Sequence, residues 1–408
     1  MNPTLKFIHA SDLHLERSFS GVGDLPDSIR TVLVDAAYTA AERIFDQAIG
    51  ERVDFVLLSG DVADIDHCGP RGISFLLEQF ERLKENGIHV YWAGGEHDQL
   101  ERWPTMISAL ENVHLFSSPL VEKVVHRREG KVIASIFGTG YAPGSRRIEE
   151  FHAEEAKGFA VGLCYGELAT DEISKTGIQY WALGGVHVRS DLADEDSRLV
   201  FSGTSQSRGP HEAGSHGSTL VCVDKSGFAN AVSLATDSVR WIQQNVVLVA
   251  GMSKSEMQTK FENLAFEISA ELNGQLALVS WQVSFEGGAN EGLDYRDWFM
   301  EINHWLRGQF GPVDGTLWSM GIQCQVPGSL AEHGLKEDTI LGDFLRTVQA
   351  REKDTETRLD LSPYAGCEHV DEAMVAAIEF DDDQAKAILQ DSAMMGIKLL
   401  SGAEEKSV

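Results

Sequence analysis

The sequence lacks the features that would place it in a membrane, a secretory pathway or a disulfide-rich scaffold. It has no apolar stretch of about eighteen residues, and its N-terminal residues do not follow the pattern of a signal peptide. Its five cysteines are odd in number and show no C-x-x-C spacing, which argues against a disulfide framework and a zinc ribbon. We therefore expect a cytoplasmic protein that makes no contact with a membrane.

Basic residues are also scarce. The chain has 34 Lys and Arg against 63 Asp and Glu, which gives a net charge of −29. A nucleic-acid binder usually has a basic surface, because contacts with phosphate release counterions. If this chain binds DNA, the attraction must come from a local patch, a metal ion or a partner subunit.

Apolar residues, by contrast, are abundant enough for sizeable cores. The 408 residues are 43% hydrophobic and fit two domains better than one. In the N-terminal part, apolar runs of strand length alternate with segments of helical spacing. This βαβαβ order predicts a mostly parallel sheet with helices on its faces. The predicted strands are Leu5–Ala10, Phe55–Ser59 and His89–Ala93, and the predicted helices are Ile29–Ile49 and Gly72–Asn86.

From about residue 113 the sequence changes to shorter β-type segments, which fit two packed mixed sheets. We interpret the acidic stretch Ser190–Ser197 as a solvated loop. A second βαβαβ set follows from about Ser238, and helices are predicted at Asp338–Ala350 and Val370–Leu389, with a frayed tail at Ser401–Val408. The predicted domains are residues 1–238, 239–327 and a helical C-terminal segment, 328–408.

Polar side chains follow four of the predicted strands, at the point where each strand ends. The segments are Asp12-Leu13-His14, Gly60-Asp61, Gly95-Glu96-His97-Asp98 and Gly184-Gly185-Val186-His187. Ligands of open α/β sheets bind beyond the carboxyl ends of the strands, so these groups are expected to meet in one crevice. Carboxylates combined with imidazoles suit Mn²⁺, Fe or Zn²⁺. The alternative is a metal-free remnant in which the polar residues only hold loops by hydrogen bonds.

These segments resemble the motifs of the calcineurin-like metallophosphoesterases. FIHASDLHLERSF, VLLSGDVAD, GGEHD and GGVH are similar to the family's D-x-H, G-D-x-x-D, G-N-H-D and G-H-x-H motifs. The segments Phe201–Gly214 and Glu337–Arg346 resemble the DNA-repair exonuclease branch of SbcD and YhaO type. The resemblance implies an α/β fold, a two-sheet sandwich flanked by helices, with a smaller C-terminal α+β region.

The resemblance also assigns roles to the residues of the motifs. Asp12, His14 and His187 match ligands of a first metal ion, Asp61 matches a carboxylate that bridges two ions, and Glu96 stands where the family has an Asn ligand of the second ion. His97 matches the histidine that assists the leaving group, Asp98 would orient His97, and Arg208 would contact phosphate or DNA. The implied cofactor is a divalent metal ion, Mn²⁺ above all.

Two positions depart from the family pattern. Tyr165 stands where a ligand histidine should end its strand, and Gly185 replaces the first histidine of G-H-x-H. Both lost ligands belong to the second metal ion, so the first site is intact and the second incomplete. His67, His211 and His216 are alternative ligands, although we interpret them as surface residues, and we interpret Cys164 as a core residue.

The resemblance implies an enzyme, with a binding protein as the alternative. As an enzyme, the chain would be a metal-dependent exonuclease subunit that degrades DNA ends, 3′ to 5′, with metal-activated water. As a catalytically weakened binding subunit, it would scaffold a coiled-coil ATPase of the SbcC or YhaN kind, the partner expected in either case. The family also allows a homodimer. A third interpretation is that the chain is a phosphomonoesterase or a cyclic-nucleotide esterase, in which case the C-terminal region would have no evident role.

Overall fold

The protein is described here from a computed structural model. The structure describes residues 4–23, 25–141, 148–166, 173–193, 197–249, 251–286, 295–311, 315–324 and 339–353, together with residues 388, 389, 392 and 396. Within these residues, no helix is long and apolar enough to cross a membrane.

The first sheet contains the three strands predicted from the N-terminal sequence. Its six strands are β1 (Leu5–Ala10), β2 (Phe55–Ser59), β3 (His89–Ala93), β4 (Val113–Phe116), β11 (Gly217–Val223) and β12 (Ala229–Ala235), in the order β12-β11-β1-β2-β3-β4. Strands β1 to β4 are parallel, and β11 pairs antiparallel with β1. The carboxyl ends of β1, β2 and β3 therefore lie at the same edge of the sheet.

The second sheet is mixed, as the shorter β-type segments predicted. Its strands are β5 (Glu122–Arg128), β6 (Lys131–Gly138), β7 (Phe159–Tyr165), β8 (Tyr180–Gly184), β9 (Ser190–Ala193) and β10 (Arg198–Phe201), in the order β5-β6-β7-β8-β10-β9. The interpretation of Ser190–Ser197 as a loop was wrong for its first half. Ser190–Ala193 pairs antiparallel with β10, because an edge strand needs a backbone partner on one side only and the carboxylate of Asp191 accepts hydrogen bonds from Arg189 and Arg198.

Successive side chains of a strand point to opposite faces of its sheet, and one face of the first sheet packs against the second sheet. In β1 and β2, Phe7 and Phe55 face the second sheet, whereas Ile8 and Val56 face the helices. The rings of Phe7 and Phe55 stack at 5.0 Å between centroids. Each buried Phe contributes roughly 1.5–3 kcal/mol through removal of apolar surface from water. This two-sheet sandwich confirms the predicted fold class.

Helices cover the outer face of the first sheet. They are α1 (Asp27–Glu51), α2 (Gly69–Glu85) and α3 (Thr105–Ser108). Three further helices occur later in the chain, α4 (Lys254–Glu271), α5 (Arg296–Phe310) and α6 (Ile340–Lys353). Leu76, Phe80 and Leu83 of α2 recur at helical spacing and are buried in the core under the sheet. Short 3₁₀ segments lie outside the second sheet, where Trp181 and Cys164 are buried, so Cys164 is a core residue as predicted.

A third sheet follows the βαβαβ order predicted from about Ser238. Its strands are β13 (Val239–Val249), β14 (Leu276–Glu286) and β15 (Leu317–Cys324), in the order β13-β14-β15. The chain forms two compact units, Met1–Gln243 with Ala265–Ser280 and Leu306–Met320, and Gln244–Leu264 with Trp281–Trp305 and Gly321–Val408. The predicted helix Asp338–Ala350 corresponds to α6, whereas Ser401–Val408 and all of Val370–Leu389 except residues 388 and 389 lie outside the described residues. The three domain boundaries stay a prediction.

Candidate metal centre

The loops that follow β1 and β2 have a strained backbone that hydrogen bonds hold in place. Asp12, His14 and Asp61 adopt left-handed φ angles of 52°, 41° and 51°. Such angles cost non-glycine residues on the order of 1 kcal/mol or more each and persist only where the surroundings hold them. Here the backbone N–H groups of Asp12 and His14 donate to the carbonyl oxygens of Gly60 and Asp61, both at 3.0 Å. The two loops are thus held together before any ligand binds.

Side chains that follow four strands, three of the first sheet and β8 of the second, meet here. The ligand atoms of Asp12, His14 and His187 lie within 4.8 Å of one another, as do those of His14, Asp61 and His97. The two imidazoles of His14 and His187 point their Nε2 atoms at each other across 3.2 Å, and His14 Nε2 lies 3.8 Å from Asp61 Oδ2. The structure therefore brings together Asp12, His14 and His187, the three predicted ligands of the first metal ion, and Asp61, the predicted bridging carboxylate, adjoins them through His14.

The charges of this set fit a cation. Asp12 is fully buried, and burial is the largest cause that raises the pKa of its carboxyl to about 6. Burial likewise lowers the pKa of His14 to about 3, which keeps its imidazole neutral and its lone pair available. Carboxylates and imidazoles in two adjoining groups are a donor set that Mn²⁺, Fe or Zn²⁺ would satisfy.

His187 is held by a residue that the sequence analysis did not single out. Its Nδ1 donates to Glu212 Oε1 at 2.6 Å, which leaves Nε2 facing His14. The other oxygen of Glu212 accepts the backbone N–H of Arg208 at 2.6 Å. Burial acts to raise the pKa of Glu212, but these hydrogen bonds outweigh it and bring the pKa to about 2. The only signal in the sequence was the position of Glu212 within the family-like segment Phe201–Gly214.

Asp12 is held from two sides. The backbone N–H of Gly185 donates to both of its carboxylate oxygens at 3.1 Å, and the Thr204 hydroxyl donates to its carbonyl oxygen at 2.7 Å. Gly185 has a φ of 93°, a conformation that residues with a side chain rarely adopt. The glycine that replaces a family histidine therefore supplies a backbone donor instead of a ligand.

His97 lies on the open side of the centre. Its side chain is 49% exposed, and its Nδ1 lies 2.9 Å from Asp61 Oδ2. Burial acts to lower the pKa of His97, but the contact with Asp61 outweighs it and the pKa is raised. The ring is therefore fixed on one side, while its other edge is free to meet a substrate.

Asp98 does not orient His97, which corrects that expectation. Its two oxygens accept the backbone N–H groups of Asp61, Val62 and Gly95 and the indole N–H of Trp92. Asp98 thus fastens the loop after β2, because those N–H groups are buried and need an acceptor. Burial, followed by the charge of Asp61, raises the pKa of Asp98 to about 7.

Two further predicted residues lie outside the cluster. Glu96 is exposed and belongs to neither ligand group of the described residues. Arg208 is only 3% exposed, and its guanidinium donates to the backbone carbonyls of Leu13 at 2.6 Å and His14 at 2.9 Å. Arg208 therefore supports the ligand loop, and its contact with phosphate stays a prediction.

The alternative ligands do not enter the cluster either. His67 and His211 are exposed, and His216 is buried with its Nε2 at 2.8 Å from the carbonyl of Glu212. Tyr165, in the position of the missing histidine, donates its hydroxyl to Asp61 Oδ2 at 2.6 Å.

Comparison with known proteins agrees with this arrangement. The family model for calcineurin-like phosphoesterases matches residues 5–163. The chain is 35% identical over 304 residues to the uncharacterized metallophosphoesterase YhaO of Bacillus subtilis, covering 71% of this chain and 73% of that protein. The chain therefore belongs to the calcineurin-like metallophosphoesterase family, and its resemblance to that family is confirmed.

A more distant relative is the DNA double-strand break repair protein Mre11 of Aeropyrum pernix. It is 26% identical over 249 residues, which cover 55% of this chain and 59% of that protein. Among solved structures, a dimetal phosphatase from Danio rerio is similar with a TM-score of 0.36 and 11% identity, over 57% of this chain and 99% of that one.

Proposed function

We propose that the chain is a metal-dependent phosphodiesterase that acts as a DNA-repair exonuclease subunit and degrades DNA ends 3′ to 5′. The observation that carries the proposal is the pair of candidate ligand groups, Asp12 with His14 and His187, and His14 with Asp61 and His97, which share His14. Membership of a metallophosphoesterase family supports hydrolysis of a phosphoester. The distant relative named as a DNA double-strand break repair protein supports DNA as the substrate.

The residues of the centre suggest how the reaction proceeds. A bound divalent cation, Mn²⁺ in our proposal, lowers the pKa of water and neutralises charge on a phosphoryl oxygen. His97 is held by Asp61 at 2.9 Å, and its raised pKa favours a protonated ring. The exposed edge of that ring can donate a hydrogen bond or a proton to the leaving oxygen of the scissile phosphodiester.

An exposed arginine supplies the local positive charge that this acidic chain needs to bind DNA. Arg17 is exposed, and no carboxylate partner is found for it in the part of the chain that the structure describes. The backbone N–H of Arg17 donates to the carbonyl oxygen of His14 at 3.0 Å, so Arg17 belongs to the loop that carries Asp12 and His14. We propose that Arg17 contacts a phosphate of the substrate.

The test uses the full chain with its purification tag removed. The protein is freed of metal with a chelator, and Mn²⁺ is titrated into reactions with bis(4-nitrophenyl) phosphate and with end-labelled linear DNA. We expect Mn²⁺-dependent cleavage of both, and His97→Ala should lower the rate at least about 100-fold, since general acids contribute about that much. His304→Ala, at an exposed histidine of α5, is the matched control and should cleave like the unaltered protein.

The second candidate function is a binding subunit for a coiled-coil ATPase of the SbcC or YhaN kind. Tyr165 and Gly185 favour it, because they remove two ligands of the second metal ion. In this proposal residues 1–238 form the nuclease domain, 239–327 a capping domain and 328–408 the partner-binding region, in a cytoplasmic assembly that allows a homodimer. No cleavage with any divalent cation, alone or with the ATPase, would reject the enzyme and leave this role.

A further inference from the structure

Tyr165 lies against Asp61, Gly60 and Gly185, at the position where the family pattern has a ligand histidine. It is the last residue of β7 and pairs with Gly184 of β8. A Cβ atom on Gly60 would lie 2.4 Å from Cδ2 of the Tyr165 ring, and a Cβ atom on Gly185 would lie 3.1 Å from its Cζ. The aromatic ring is therefore seated on two glycines that leave room for it, one at the end of β2 and one after β8.

The hydroxyl of Tyr165 completes the same arrangement. It donates to Asp61 Oδ2 at 2.6 Å, and His97 Nδ1 lies 2.9 Å from that oxygen. Asp61 Oδ1 accepts the backbone N–H of His97 at 2.8 Å. A carboxylate oxygen has two lone pairs, so the phenol and the His97 ring together fill Oδ2. Asp61 can therefore offer a cation only the remaining lone pair of Oδ1. The side of Asp61 that faces Tyr165 is therefore occupied by a neutral donor.

Few other donors remain on that side. Gly185 offers only its backbone N–H, which already donates to Asp12. Glu96 is exposed and outside both ligand groups of the described residues. A cation in the group Asp12, His14 and His187 has three ligands. A second cation would have to share His14 with it and use His97 and Asp61, whose Oδ2 already accepts the phenol.

We propose that Tyr165 takes the place of a second metal ion and positions Asp61, so that the centre binds a single divalent cation. The proposal rests on the proposed function in one respect, the binding of that first cation. Tyr165 is a positioning residue, since it acts through Asp61. The phenol donates a hydrogen bond to the Asp61 carboxylate, whose negative charge a second cation would otherwise have neutralised in part.

The test measures bound Mn²⁺ directly rather than activity. Full-length, tag-free protein is stripped of metal, dialysed against increasing Mn²⁺ and analysed for bound metal by mass spectrometry, while free Mn²⁺ is followed by its electron paramagnetic resonance signal. We expect one equivalent per chain. Tyr165→Phe keeps the ring and removes the hydrogen bond, and should still bind one equivalent about tenfold more weakly, a loss of about 1.4 kcal/mol at 25 °C.

Two more variants separate the possible causes. Tyr91→Phe is the matched control, because its hydroxyl also makes one buried hydrogen bond, to His126 Nδ1 at 3.0 Å, away from the centre. It should bind Mn²⁺ like the unaltered protein. Tyr165→His exchanges the phenol for an imidazole and should add a second equivalent, with a spin-coupled signal of two neighbouring Mn²⁺ ions.

Each result decides a separate point. Two equivalents in the unaltered protein would overturn the single-cation centre, and a Tyr165→Phe protein with unchanged affinity would overturn the positioning role. A folded Tyr165→His protein that still binds one equivalent would show that the phenol does not exclude a second ion. If Tyr165→His fails to fold, the stoichiometry of the unaltered protein and the affinity of Tyr165→Phe decide. No binding at all would instead reject the proposed function.

Discussion

Glu212 offers the sharpest test of how the centre is held. Its carboxylate accepts two hydrogen bonds, from His187 Nδ1 and from the backbone N–H of Arg208, both at 2.6 Å. An amide oxygen can accept only one of them, so in Glu212→Gln the amide NH₂ group must face an N–H donor. Residues that hydrogen-bond a metal ligand typically account for 10–100-fold in metal affinity. We therefore expect Glu212→Ala to weaken Mn²⁺ binding by about that factor, or about 1.4–2.8 kcal/mol.

Glu212→Gln should fall between the unaltered protein and Glu212→Ala, because one of the two hydrogen bonds survives. Affinity is measured by titration calorimetry with Mn²⁺, and the melting temperature shows whether the fold is kept. Glu256→Gln is the matched control, since Glu256 also accepts two hydrogen bonds, both from Ser253, at 2.7 and 2.8 Å. Equal Mn²⁺ affinity in all these proteins would refute the view that Glu212 orients His187.

Three further predictions concern the pH response, the packing and the surface of the site. His9 is fully buried, and burial lowers its pKa to about 3, so below pH 6.5 the unfolded chain takes up a proton that the folded protein does not. Through this group, the free energy of unfolding should fall by up to about 1.4 kcal/mol per pH unit between pH 6.5 and 3. In urea unfolding measured across this pH range, His9→Gln should remove that dependence. An equal pH dependence in both proteins would contradict a neutral buried His9. In Gly184→Ala the new Cβ atom would lie 1.8 Å from the carbonyl oxygen of Ser59. We therefore expect the free energy of unfolding to fall by on the order of 3 kcal/mol, which a lower melting temperature would show. An unchanged melting temperature would be inconsistent with this packing. Arg17→Ala should weaken DNA binding and reduce its salt dependence by about one counterion. Arg71 is the control, because its guanidinium is already paired with Asp35 at 2.6 Å, and Arg71→Ala should leave DNA binding unchanged. Equal effects of the two substitutions would reject a role for Arg17.

The ligands of the centre were predictable because strand ends converge by simple geometry. Asp12, Asp61 and His97 each follow a parallel strand of one sheet, and apolar runs of strand length are the clearest signal in the sequence. His187 follows a strand of the second sheet, so its approach depended on the packing of the two sheets. The family motifs supplied that step.

The hydrogen bonds around the ligands were not predictable in the same way. Glu212 lies 25 residues after His187, and no periodicity indicates that its side chain returns to that imidazole. Asp98 and Arg208 were recognised as polar residues of the site, but apart from the indole of Trp92 the partners described above are backbone groups, and a sequence pattern does not show backbone positions. Tyr165 was recognised as a departure, whereas the path of its hydroxyl to Asp61 required coordinates.

The edge strand β9 shows a similar limit. Its residues, Ser190–Ala193, belong to an acidic stretch with few apolar side chains, which is typical of a loop. Antiparallel pairing with β10 is decided by the neighbouring strand and not by the composition of the stretch itself.

The central claim is that Asp12, His14, Asp61 and His187 share one divalent cation. The most direct measurement is an anomalous difference map at the manganese edge, from a crystal of the full chain grown with Mn²⁺. The account predicts one peak between the carboxylates of Asp12 and Asp61 and the Nε2 atoms of His14 and His187. No peak among these four residues would contradict the account.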